Sequence, residues 1–389
     1  MSVAMGVRQS FGLYLDPLAS EYGHSLGLIA FAIALHNLTW GIAQPIAGAA
    51  ADRFGPAPVV AAGAFLFASG LCLTALSSSG AALVIGMGVF VGMGISCTSF
   101  GVVMAALGRA VPAERRSMAM GLASAGGSLG QALLVPFAQG IAQLSGTTVS
   151  LLALAVCLIT VAPVGLLLNR GTDPTTEAEH SMPIREAVAQ ALRNRGYCLL
   201  GLGFFTCGFQ LAFIATHLPA YLALCAMPPS AGAMALATIG LFNMIGSWAC
   251  GWLGGRFPQQ QVLGWLYLLR GAVILAFFLA PKTEWSLFAF AAAMGLMWLG
   301  TVPLTSGLVA KVFGTHHLGT LFGLCFLSHQ IGSFLGSWSG GLVFEFTGSY
   351  GLVWTATAIA GFVAAALHFP IDATPARAAP PGTTMLRTS

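Results

Sequence analysis

The stretch "GAAADRFG" (Gly48–Gly55) closes a long apolar run, and "GWLGGRFP" (Gly251–Pro258) closes another one 203 residues later. Each sets an arginine beside a turn-forming residue where the apolar sequence stops. A looser echo links "GLASAGGSLGQ" (Gly121–Gln131) with "GLCFLSHQIGSFLG" (Gly323–Gly336). Similarity between two halves of a chain is the mark of duplication, so the repeating unit has to be found in the residues around these stretches.

Those surroundings are oily. Residues A, V, I, L, M, F, W, Y and C make up 57% of the chain and charged residues 7%, against roughly a quarter charged in ordinary soluble domains. At 389 residues a soluble fold would need a polar surface that this composition lacks, so lipid is the expected solvent. The 50 glycines suit helices that pack backbone to backbone. The net charge of +4 gives no reason to expect nucleic acid. The eight cysteines lie in or beside apolar segments with no CxxC pair, which argues against zinc or a disulfide framework and reads as small packing residues.

Apolar stretches near the ~20 residues that cross a bilayer fall at 3–18, 26–50, 59–76, 81–107, 118–144, 150–168, 197–224, 231–254, 262–280, 286–309, 318–344 and 351–369. Short loops join them, except for a polar link at 169–196 that divides the set six plus six and contains the amphipathic "PIREAVAQALRNRG". With the N-terminus on the cytoplasmic side, twelve basic residues fall on that side and only Lys282 on the other, as the positive-inside rule requires. Arg8 and Arg270 fall within spans. The fifteen residues before Asp16 reach roughly 22 Å, short of a ~30 Å core. The reading adopted is a first helix that lacks its beginning. A signal peptide fits less well, because Arg8 interrupts the apolar run and no basic leader precedes it.

With Gly48, Asp52, Arg53 and Gly55, the first loop resembles the G-x-x-x-D-R-x-G loop of the major facilitator superfamily, although the basic pair usual there is Pro56–Ala57. The resemblance implies an all-α membrane protein of twelve transmembrane helices in two six-helix bundles: 1–168 and 197–370, with a cytoplasmic linker at 169–196 and a disordered cytoplasmic tail at 371–389. It makes these four residues a gating latch. Within the superfamily, "RRSMAMGLASAGGSLGQALLVPFAQ" (Arg115–Gln139) is similar to helix 5 of the monocarboxylate transporter and oxalate/formate antiporter branch, and Arg8 before "FGLYL" is similar to that branch's first helix. Asn243 and Ser247 stand where the branch often has an Asp and an Arg, so its anion-binding arginine there does not carry over.

The polar residues within spans are the candidates for chemistry. An unpaired Arg costs at least ~2.5–3.5 kcal/mol at a helix centre, so Arg8 should meet water, a partner or an anion. It is expected to face a substrate carboxylate; the alternative is a structural Arg bonded to another helix. Arg270 is a second anion candidate, with a bond to the end of a broken helix as its competitor. Gln210 and His217 share a face of the seventh span and read as substrate contact and outer-gate residue, or as polar groups satisfied between helices. His329 and Gln330 fall near a substrate-meeting lysine of the oxalate/formate antiporters, and His329 can carry a proton or make an interhelical bond. Asn37, Trp40 and Gln44 form one stripe. Trp298, Thr301 and Thr305 are expected to line the path, with a bend at Pro303.

The function expected is secondary active transport of a small organic anion, a monocarboxylate or dicarboxylate, by symport or antiport, with H⁺ as a possible coupling ion. An efflux carrier for amphipathic or drug-like compounds is the alternative; the absence of an acid deep in any span counts against cations. No G-x-x-x-x-G-K-[ST] loop occurs, so ATP-driven transport by this chain is not expected. Nor is enzymatic activity, a catalytic or metal site, or a cofactor. The expected setting is the inner (plasma) membrane, multi-pass, as a monomer in the lipid bilayer with both termini cytoplasmic.

Overall fold

A computed structural model describes residues 1–14, 18, 21, 23, 24, 26–163, 183–228 and 230–375. Asp16, most of the linker and most of the tail lie outside the described residues. The described residues are helical and contain no strand. Helix α1 (Ser2–Gln9) continues as a 3₁₀ segment, Ser10–Tyr14. Then come α2 (Leu26–Phe54), α3 (Pro56–Leu76), α4 (Gly80–Ala110) and α5 (Ala113–Val161). After the linker follow α6 (Ile184–Arg193), α7 (Arg195–Leu224), α8 (Ser230–Arg256) and α9 (Gln259–Leu279). The chain continues through α10 (Glu284–Met297), α11 (Thr301–Phe313), α12 (Leu318–Thr347) and α13 (Gly351–His368).

Nine helical runs among the described residues are long and apolar enough to cross a membrane, so the chain is a multi-pass membrane protein. The run Ala113–Thr160 has 48 residues; at 1.5 Å each it would extend about 70 Å, some twice a hydrocarbon core. It is divided at Gly146 (φ 87°, ψ 168°), a backbone conformation open to glycine, and the chain doubles back there: Ser150 Oγ donates to the Ala138 carbonyl at 2.7 Å. This is the turn expected between the fifth and sixth spans. In α4 the residues Val84–Phe90 form a π-helical turn, and the helix breaks again at Ser99. The linker helix α6 has the expected amphipathic form, with Ala187 and Ala191 buried.

One expected feature is displaced. The tenth span bends at Trp298–Gly300, between α10 and α11, rather than at Pro303. Pro303 lies in the first turn of α11, where its missing N–H has no helical partner to lose. The break leaves the carbonyls of Met297 and Trp298 without helical donors.

Two helix pairs make the most extensive contacts between the halves. Helix α2 packs on α12, and α8 packs on α5. A Cβ at Gly48 would collide with the Gly319 carbonyl, and Gly121 and Gly251 oppose each other Cα to backbone. Both repeated stretches therefore touch the opposite half through glycine. Most of the basic residues outside the spans, including Arg53, Arg109, Arg115, Arg116, Arg256 and Lys311, cluster at this end, here termed the basic end.

Candidate substrate site

The latch is built at the basic end. Asp52, in the last turn of α2, is paired with Arg109 from the end of α4 at 2.9 Å. Its two oxygens also accept the Gly319 and Thr320 backbone N–H groups at 3.2 and 2.9 Å, and the Thr320 hydroxyl at 3.0 Å. A carboxylate thus satisfies orphan donors at the N-terminus of α12. Arg53 turns away and lies over the Phe54 ring, 5.2 Å from its centroid. At the offset of 203 residues the counterpart of Asp52 is Gly255, so the second half carries no equivalent acid.

From the latch, contacts between halves continue to mid-depth. Gly323 meets Pro45, and Gly41 meets Gln330. Trp40 packs on Phe326 with ring centroids 4.8 Å apart, and Phe326 stacks on His329 at 5.3 Å. Trp40 donates to Gln44 Oε1 at 2.8 Å and to Ser99 Oγ at 3.0 Å, which fixes its ring. On the other pair, Asn243 donates to Ser128 Oγ at 2.8 Å. Contacts between the halves therefore run from the basic end up to these residues.

Arg8 lies beyond these contacts, further from the Asp52 end of α2. Helix α1 is held by Gly6, whose Cα side meets the Gly130 backbone of α5, and the following segment by a Tyr14–Ser150 hydroxyl bond of 2.7 Å. Val7 is fully buried, while Arg8, next in the helix, is half-buried and turns toward α2. Its Nε donates to His36 Nε2 at 3.3 Å, and one Nη donates to Asn37 Oδ1 at 3.2 Å. The guanidinium lies 5.2 Å from the Trp40 ring centroid. His36 accepts at Nε2 and meets the Ile33 carbonyl through Nδ1 at 2.6 Å, the pattern of a neutral imidazole. Among the described residues no carboxylate pairs with Arg8. Across the interface Gln330 donates to the Asn37 carbonyl at 3.1 Å and accepts from His329 Nδ1 at 3.0 Å. Arg8, Asn37, Gln330 and His329 thus form one polar line linking the two halves.

The remaining candidates face into the second bundle. Arg270 has no exposed surface. It donates to the Met297 carbonyl, to the Trp298 carbonyl at 3.1 Å, to Cys207 Sγ at 3.2 Å and to Gln210 Oε1 at 3.5 Å. It therefore fills the break between α10 and α11. Gln210 is fully buried and also donates to the Thr357 carbonyl at 3.0 Å. Thr301 is buried and meets Cys207 Sγ at 3.3 Å. His217 meets the Ser337 carbonyl at 2.7 Å, which ties α7 to α12. The sequence reads Cys207 as a packing residue; only the meeting of α7, α9 and α11 reveals its partners.

Residues 1–337 match the sequence model described as Major Facilitator Superfamily. The chain is 27% identical to the uncharacterized MFS-type transporter YcxA of Bacillus subtilis over 89% of this chain and 86% of that protein. It is 26% identical to monocarboxylate transporter 13 of Bos taurus, over 90% of this chain and 81% of that one. The fold matches the E. coli fucose:proton symporter FucP with a TM-score of 0.73 at 18% identity, over 94% of this chain and 95% of that one.

Proposed function

The chain belongs to the Major Facilitator Superfamily, and from that premise we propose that it is a secondary carrier of a small organic anion, with Arg8 receiving the anion's carboxylate. One observation carries this reading: a mid-depth guanidinium holds only neutral partners, His36 and Asn37, among the described residues. A carboxylate brings the missing charge and accepts two parallel N–H bonds from one guanidinium. The relatives include a protein named as a monocarboxylate transporter, which agrees with that chemistry.

The contacts from Asp52 to Gln330 close the basic end, so the anion enters from the other end in this state. Release follows when α2 separates from α12 and α8 from α5, breaking the Asp52 latch. Positive-inside bias supports a cytoplasmic basic end. His329 is the titratable group on the polar line that begins at Arg8, and a proton is the coupling ion this reading favours. The carrier works as a monomer, since the cleft lies between two halves of one chain.

The test is uptake of labelled short-chain monocarboxylates and dicarboxylates, alongside neutral and cationic solutes, into proteoliposomes holding the purified protein. The reading expects at least one carboxylate to accumulate and neutral or cationic analogues to be ignored. Accumulation of cations, with no carboxylate moved, refutes it.

A further inference from the structure

We propose that Cys207 is held as a thiolate, the counter-charge of Arg270, and that this pair is where the coupled proton binds. The inference rests on the carrier reading only for its second half; the ion pair stands on geometry alone.

A guanidinium is always charged, and Arg270 is fully buried in the membrane-spanning bundle. The ion pair described in this chain is Arg109–Asp52, at the far latch; among the described residues no carboxylate reaches Arg270. The C-terminal end of α10 supplies the equivalent of about half a negative charge through the Met297 and Trp298 carbonyls. Of the four groups bonded to Arg270, only the sulfur can carry a full one.

The surroundings of that sulfur are those of an anion. Arg270 Nη1 donates to it at 3.2 Å, and the Thr301 hydroxyl lies 3.3 Å away. The Tyr267 hydroxyl is buried and has no hydrogen-bond partner. Arg270 Nε is likewise buried and unpartnered. Tyr267 lies beneath the guanidinium, 5.3 Å from ring centroid to carbon, and stacks on His368 at 4.7 Å. Cys250 faces Arg270 from α8 without bonding to it. On the cleft side stands His329, against whose carbonyl Gly208 packs.

The proton step balances simply. A proton arrives from the cleft side, where His329 stands with its Nδ1 engaged on Gln330 Oε1. An S–H bond forms at Cys207, and nothing is oxidised. The pair, neutral while the thiolate persists, then carries an uncompensated positive charge. In a poorly screened interior that charge strengthens anion binding along the polar line to Arg8. Linkage makes the effect reciprocal: the bound anion raises proton affinity by the same factor. Anion affinity therefore rises as pH falls through the titration of the pair, by at most about tenfold per pH unit for one proton.

Two measurements on the purified full chain in lipid test this. The first is the ultraviolet thiolate absorbance of a variant retaining Cys207 as its only cysteine, titrated against the same chain with Cys207→Ser. Thiolate absorbance is expected at neutral pH; its absence there overturns the ion pair. The second is the pH profile of carboxylate uptake. Wild type should rise on acidification, Cys207→Ser should flatten the profile, and Cys207→Asp should keep the rise but move it to lower pH. If Cys207→Ser merely scales uptake down with its pH slope intact, the residue is structural and the coupling role is wrong. A wild type that moves no carboxylate at any pH defeats the carrier reading, whereas the absorbance titration judges the ion pair independently.

Discussion

Asp52 and Thr320, 268 residues apart in sequence, are joined twice: the carboxylate accepts both the backbone N–H and the hydroxyl of Thr320. One side chain at the end of α2 thereby caps α12 of the other half while neutralising Arg109. Because the second half has Gly255 at the equivalent position, this closure rests on a single acid, and its loss should act on one pair of helices.

Asp52→Asn keeps the shape but removes the charge. Hydrogen bonds to charged groups contribute about 1.5–3 kcal/mol, so the closed basic end should lose on the order of tenfold to a hundredfold in population. Faster hydrogen exchange at the Gly319 and Thr320 amides, measured by mass spectrometry, reports this. Unchanged exchange there would mean that the helix pairs close without the latch.

Glycine contacts between the halves should respond according to position. Gly48→Ala drives a methyl into the Gly319 carbonyl, and overpacking costs about 1–3 kcal/mol. Gly201→Ala meets nothing within 4 Å and should stay within about 0.5 kcal/mol of wild type. Thermal unfolding of the two purified variants makes the comparison.

Arg270 and Arg8 should separate stability from transport. Arg270→Gln strips the Met297 and Trp298 carbonyls of their donor, at about 1–3 kcal/mol for each group left unsatisfied. Its thermal stability should fall clearly. Arg8→Gln keeps a side-chain amide that can donate to Asn37 or His36, and its stability should stay near wild type. Equal destabilisation by both would make Arg8 a structural residue as well.

Helix identity was legible in the sequence because lipid imposes long apolar runs, and duplication was legible because the same loop recurs after α2 and α8. What a polar residue faces was less legible. Asn37, Trp40 and Gln44 read as one stripe, but their targets, Gln330, Phe326 and the Ser96 carbonyl that accepts from Gln44 at 2.9 Å, lie on helices placed by tertiary packing. The bend of the tenth span was assigned to Pro303 because proline is a known breaker; the actual break, at Trp298–Gly300, is held open by Arg270 from another helix. Cys207 showed nothing in its own neighbourhood, since its partners arrive from α9 and α11.

The Lys282 end should face away from the cytoplasm. Lys282 caps α9 by donating to the Phe278 carbonyl at 3.0 Å, and the adjacent Trp285 is exposed. In a variant cleared of native cysteines, one cysteine introduced at Glu284 should label with a membrane-impermeant maleimide in intact cells, whereas one introduced at Gln260 should not. The reverse pattern would invert the proposed orientation.

The central claim is that Arg8 receives the carboxylate of the transported anion. Initial uptake of the best carboxylate, compared between wild type and Arg8→Gln at matched amounts of folded protein, tests it most directly. Loss of a charge-assisted pair of about 1.5–3 kcal/mol should lower uptake at subsaturating substrate by roughly tenfold to a hundredfold. Uptake by Arg8→Gln equal to wild type would contradict the claim.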